Sequence, residues 1–188
     1  MKKITLSAVF VALSVLSASS FAASNNTIRF LGEVADQTCT VSVNGNQATP
    51  SVLLPTVSLT GLKAGTDLGE TTFTVGVSGC TVNADAAQAV GVNFLANNIA
   101  SYSGSNYVGN VLTGSTAATG VGFSIYDSAA PSTNLDITGA TTVKPSGFSV
   151  AAGDTSANYD FGVKYAPTSA TPTIGKVEGN VQISISYL

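Results

Sequence analysis

The sequence predicts an all-β protein, and three observations carry the prediction. Only 9% of the 188 residues are charged, against roughly 25% in an ordinary globular domain. Helix surfaces rich in Glu, Lys and Arg therefore have little to be built from. Hydrophobic residues make up 44%, and the polar remainder is dominated by Ser, Thr, Asn and Gly, a composition of short strands and polar turns. Period-two alternation also recurs along the chain, with turn signals between the segments. There is no internal repeat and no linker, so one β-sandwich is the economical architecture.

Residues 1–22 come first and are not part of the fold. Lys2 and Lys3, an apolar stretch from Ile4 to Leu16 and the sequence Ser20-Phe21-Ala22 form a secretory signal peptide. Its apolar core is shorter than the ~20 residues that span a bilayer. Cleavage after Ala22 and after Ala23 both fit. The whole chain carries 7 basic and 10 acidic residues, and cleavage removes two of the lysines. Nucleic acid is then not an expected partner.

Thr27 to Val34 opens the alternating series. Cys39 to Val43 follows, and Asn44-Gly45-Asn46 reads as a turn. Ser51 to Leu54 is a short strand candidate before Pro55, and Thr71 to Val77 alternates up to Ser78-Gly79-Cys80. Ala89 to Leu95 and Gly120 to Tyr126 come next. In Asn158 to Tyr165, Tyr159, Phe161, Val163 and Tyr165 share one face. Val181 to Leu188 alternates most regularly of all. The helical candidate is Ala84 to Gln88, and Asn97 to Thr119 reads as loop or irregular edge. Cys39 and Cys80 are an even number in an exported chain and are expected to pair. That bridge closes a loop of about forty residues, for which chain entropy gives roughly 3 to 4 kcal/mol.

Chemistry is constrained by absences. The chain has no His, which removes Ser-His-Asp and Cys-His catalysis and His-containing metal sites. No S-x-x-K occurs after the signal segment and no paired-carboxylate motif stands out, so neither an enzyme nor a cofactor or metal is expected. Two features do not fit a self-sufficient sandwich. An alternating segment lies a few residues after the cleavage site, and the sequence stops on a strong strand. A strand at a sheet edge is a template for another chain.

Taken together, the residues resemble the chaperone-usher pilins, the type 1 and F17-like fimbrial major subunits. The marks are Ile28-x-Phe30-x-Gly32-x-Val34 before Cys39, then Cys80, Gly120 to Asp127 and Tyr159-x-Phe161-x-Val163-x-Tyr165. They end with Gly175, alternating Val181, Ile183 and Ile185, and the penultimate Tyr187. The resemblance implies an incomplete immunoglobulin-like sandwich over 37–188, missing its final strand. It implies that residues 23–36 are an N-terminal extension donated to a neighbour's groove, with Asn26, Ile28, Phe30, Gly32 and Val34 facing inward. The alternative, in which Ile28 and Phe30 pack in their own domain's core, stays open on the sequence. Gly175, Val181, Ile183, Ile185 and Tyr187 would edge the groove and engage a chaperone. The implied partners are copies of the chain, a periplasmic chaperone, an outer-membrane usher and a tip adhesin, with export through the periplasm to a surface fimbrium. A minor or adaptor subunit, or a secreted carbohydrate-binding module, is the competing reading.

Overall fold

A computed structural model describes residues 39–66, 68–81 and 85–188. The expected signal segment and the alternating segment from Thr27 to Val34 lie outside the described residues. Nine strands and one short helix are described: β1 Thr40–Val43, α1 Leu59–Ala64, β2 Thr71–Ser78, β3 Gln88–Ala96, β4 Ile99–Tyr102, β5 Ser105–Gly109, β6 Val121–Asp127, β7 Ser149–Val150, β8 Ser156–Pro167 and β9 Val181–Tyr187. They form two sheets, a six-stranded one in the order β1-β2-β8-β6-β5-β4 and a three-stranded one in the order β7-β3-β9. Every strand pair in both is antiparallel.

The alternation seen in the sequence decides which side chains meet between the sheets. From the larger sheet come Phe73, Val75 and Val77 of β2, Phe123 and Ile125 of β6, and Phe161 of β8. Val90, Val92 and Phe94 of β3 come from the smaller one. Phe94 packs edge-on against Phe161 at 5.1 Å between ring centroids, and Phe161 also meets Tyr159 at 5.2 Å. Such pairs contribute about 0.5–1.5 kcal/mol beyond their burial. The other face of β6 is covered as well, because Ser124 Oγ donates to Asn134 Oδ1 at 2.5 Å and Leu135 N donates to Ile125 O.

Four expectations are corrected. Ser51 to Leu54 alternates as a strand does, Val52 and Leu54 half-buried and Leu53 91% exposed, yet it joins no ladder among the described residues. The described part of the helical candidate, 85–88, is a turn leading into β3, so the short Ala run does not make a helix there. The only described helix is instead α1, which the sequence reading missed. Ser58 caps it by accepting from Gly61 N, and Gly65, in the left-handed region, closes it with bonds to the last turn. Finally, the polar stretch 97–119 holds β4 and β5. Their turn, Ser103-Gly104, has positive φ at both residues, the conformation that suits a two-residue hairpin. The same geometry turns the chain at Asn44-Gly45, as expected from the sequence.

One consequence of the packing concerns pH. Burial pushes the Tyr159 hydroxyl up to about 12, assisted by the hydrogen bond it donates to Asp127 Oδ1 and by the charges of Asp127 and Asp160. The folded state therefore favours the neutral phenol. This contribution is fully present below the ordinary tyrosine value near 10 and is lost as pH rises through about 12. Thermal melts between pH 9 and pH 12 should show stability falling steeply, and Tyr159→Phe should flatten that fall. An unchanged slope in the variant would mean that other groups govern alkaline unfolding.

Candidate functional site

The site is a largely apolar cavity of about 960 Å3. Its lining comes mainly from four sources. The inner face of the six-stranded sheet supplies Phe73, Phe123, Val163 and Tyr165. The extended 50–57 segment supplies Val52 and Leu54, and the run 173–183 supplies Gly175, Val177, Val181 and Ile183. α1 adds Leu59 and Leu62, and Leu62 forms a small second core with Ala118 and Val121.

Two of these sources share an unusual property. β9 is the last strand of its sheet among the described residues, hydrogen-bonded to β3 on one side. The 51–54 stretch has the in-and-out alternation of a strand but no described ladder partner. A strand normally alternates in this way because it is one member of a sheet. Here two strand-like segments line one apolar cavity, and each has an edge to which no described strand is bonded.

The expected edge residues take different places. Val181 and Ile183 are half-buried and line the cavity, while Gln182 and Ser184, on the other face, are exposed. Ile185, further along the same face, packs on the core but is not part of the lining. Tyr187 lies at the far end of β9, where its hydroxyl accepts from Cys39 N at 2.8 Å. Gly175 lines the cavity with φ of 151°. A Cβ there would run into the backbone of Ala117 and Ala118, so only glycine lets the 173–177 stretch lie this close. The residues expected to form a donor strand, Asn26, Ile28, Phe30, Gly32 and Val34, lie outside the described residues.

Cys39 and Cys80 are bonded, with 4.4 Å between their Cα atoms. The bridge ties the start of β1 to the end of β2, at the same end of the domain as Tyr187. Reading the sequence alone missed Asn110, whose side chain bonds to Lys176 and Glu178 of the lining, and α1, which adds Leu59 and Leu62 to it. For α1 the spacing of Ser58 and Gly65 was the available signal. Among the described residues no group of three or more His, Cys, Asp or Glu is placed to hold a metal, and no described helix is long and apolar enough to cross a membrane.

Comparison with known proteins places this geometry. The profile of the family described as fimbrial protein matches residues 28–188. Long polar fimbria protein A of Salmonella typhimurium is 31% identical over 190 aligned positions, covering 100% of this chain and 97% of that protein. In structure, the chain is similar to the P pilus rod subunit PapA, with a TM-score of 0.54 at 15% identity over 79% of this chain and 99% of that one. It is similar also to a subunit from the structure of a chaperone-usher pilus, with a TM-score of 0.53 at 16% identity over 91% and 100% of the two chains. At these identities the structural likeness is one of fold, the immunoglobulin-like sandwich of pilus subunits.

Proposed function

We propose that this chain, which belongs to the fimbrial protein family, builds the shaft of a surface fimbria by accepting a strand from one neighbour and donating its own to the next. The observation that carries this reading is the cavity lined by two segments that are strand-like in sequence and unpaired on one edge among the described residues. An added strand would bond its backbone to β9 while alternate side chains fill the lining, which is how strand addition combines affinity with specificity.

Magnitudes favour a strand over a small molecule. Each apolar side chain moved from water into the cavity contributes about 1.5–3 kcal/mol, so three of them outweigh what a typical exposed edge gains by hydrogen bonding alone. The donor is proposed to be 23–36 of a second copy, with Ile28, Phe30, Gly32 and Val34 facing inward and Asn26 as a marginal outer contact. Gly32 would let the two backbones approach closely. Before assembly, a periplasmic chaperone would cover the same cavity and an outer-membrane usher would release the subunit to the surface. A tip adhesin would cap the fibre. The chain's role in this scheme is structural.

Sheared surface material tests the proposal. The chain is expected as the dominant protein of the fibres. Unheated detergent gels should show a ladder of non-covalent polymers that collapses to monomer on boiling. Fibres in which the chain is present at one or a few copies would assign it to a minor subunit, and monomer alone would remove the polymer reading.

A further inference from the structure

Asn110 follows β5 directly and belongs to none of the motifs above. Its carboxamide makes four hydrogen bonds. Nδ2 donates to the carbonyl oxygens of Ala118 at 2.9 Å and Lys176 at 3.0 Å. Oδ1 accepts from the backbone N–H groups of Leu112 at 3.1 Å and Glu178 at 3.0 Å. A primary amide offers two donors and an oxygen with two lone pairs, so its capacity is fully used.

The pattern of these bonds is informative. Donating to the carbonyl of Lys176 and accepting from the N–H of Glu178 brackets Val177, as a residue of a parallel neighbouring strand would do. The side chain takes the place of a peptide unit opposite Val177. Backbone bonds from Val111 N to Glu178 O and from Ala118 N to Lys176 O extend the same seam. Val177 is half-buried, packs on both apolar clusters and lines the cavity.

We propose that Asn110 is a positioning residue for strand acceptance: it fixes the 175–179 wall and keeps Val177 turned into the space that an incoming strand enters. The proposal rests on the strand-exchange reading above. It also accounts for the residue type. Asp has the same shape but no donors, and would set a charge against two carbonyls. Ala would leave both carbonyls and both N–H groups without this partner. The bonds that either change removes run to Leu112, Ala118, Lys176 and Glu178, so the expected loss is in the cavity wall.

The test uses the complex of the mature chain with its periplasmic chaperone, mixed with a synthetic peptide of residues 23–36 while chaperone displacement is timed. Asn110→Asp and Asn110→Ala are compared with Asn98→Ala. The last removes the bond that Asn98 Nδ2, in the turn between β3 and β4, donates to Asn110 O, and leaves the bonds to 176–178 in place. Both Asn110 variants should form the chaperone complex in wild-type yield but exchange about tenfold more slowly or worse, and Asn98→Ala should exchange as wild type does. Peptides shortened from either end then identify the peptide residue seated at Val177. Without that residue, wild type and Asn110→Asp should exchange equally, a coupling that a general loss of stability does not produce. Wild-type exchange by Asn110→Asp, equal slowing with every peptide, or failure of both Asn110 variants to accumulate would overturn the proposal. A wild-type complex that never exchanges would overturn strand exchange itself, and this proposal with it.

Discussion

Ile183→Asp is expected to abolish accumulation of the subunit, even when its chaperone is supplied in excess. Ile183 sits in the middle of β9, opposite Phe94 of β3, with its side chain half-buried and lining the cavity. An ionised carboxylate there either loses its water or holds the cavity open, and burying it without a partner costs several kcal/mol. A domain of this size is stable by only about 5–15 kcal/mol, and one with an unfilled apolar cavity belongs at the low end. Exposed apolar lining and an unpaired edge then attract proteases and aggregation. The control is one residue away. Ser184→Asp places the same charge on the exposed face of the same strand, where substitutions usually change stability by about 0.5 kcal/mol or less. Immunoblots of periplasmic extracts should therefore show Ser184→Asp at wild-type level and Ile183→Asp nearly absent. Equal levels of the two would mean that the face of β9 is assigned the wrong way round.

That contrast rests on the feature the sequence displayed most plainly. Val181, Ile183 and Ile185 fall on one face because a strand has period two, and no tertiary knowledge is needed to see it. β2, β3, β6 and β8 were legible for the same reason, since each carries enough Val, Phe, Ile or Tyr to mark an inner face. Elsewhere the local signal was too thin. β4 and β5 are Ser- and Asn-rich and gain their order from pairing with each other and with β6, a non-local fact. Six-residue α1 is too short to be stable by propensity and depends on Leu62 being buried beside Ala118 and Val121. Ser51 to Leu54 shows the opposite failure. Its alternation was read correctly, but alternation cannot say whether a partner strand is present, and here no described strand supplies one. Asn110 carries no local signal, because its four bonds reach residues from 112 to 178.

The half-paired β9 and the 51–54 stretch without a described ladder partner make the proposed donor segment the place where assembly, and not folding, should be breakable. Ile28→Asp with Phe30→Asp is expected to stop fibre growth while leaving chaperone capture intact. Both residues precede Cys39, the point at which the domain is tied by its disulfide and by the bond to the Tyr187 hydroxyl. The described cavity-lining residues lie between Val43 and Ile183, so the substitutions leave the acceptor surface that they form unchanged. Two aspartates facing an apolar lining forfeit the burial of two large side chains, about 1.5–3 kcal/mol each, and add the penalty of desolvating two charges. A loss of that size lowers the donor's affinity by several orders of magnitude. The doubly substituted chain should be recovered from the periplasm as a chaperone complex in wild-type amount and should still accept the free 23–36 peptide. It should occupy only the first position of a chain, since it can receive the next subunit's strand but cannot donate one into a subunit already in place. Mixed with wild type, it should therefore be absent from the interior of fibres. Should the substituted chain alone build long fibres, growth would have to proceed through contacts other than the 23–36 segment. If it failed instead to form the chaperone complex, Ile28 and Phe30 would belong to the core of their own domain.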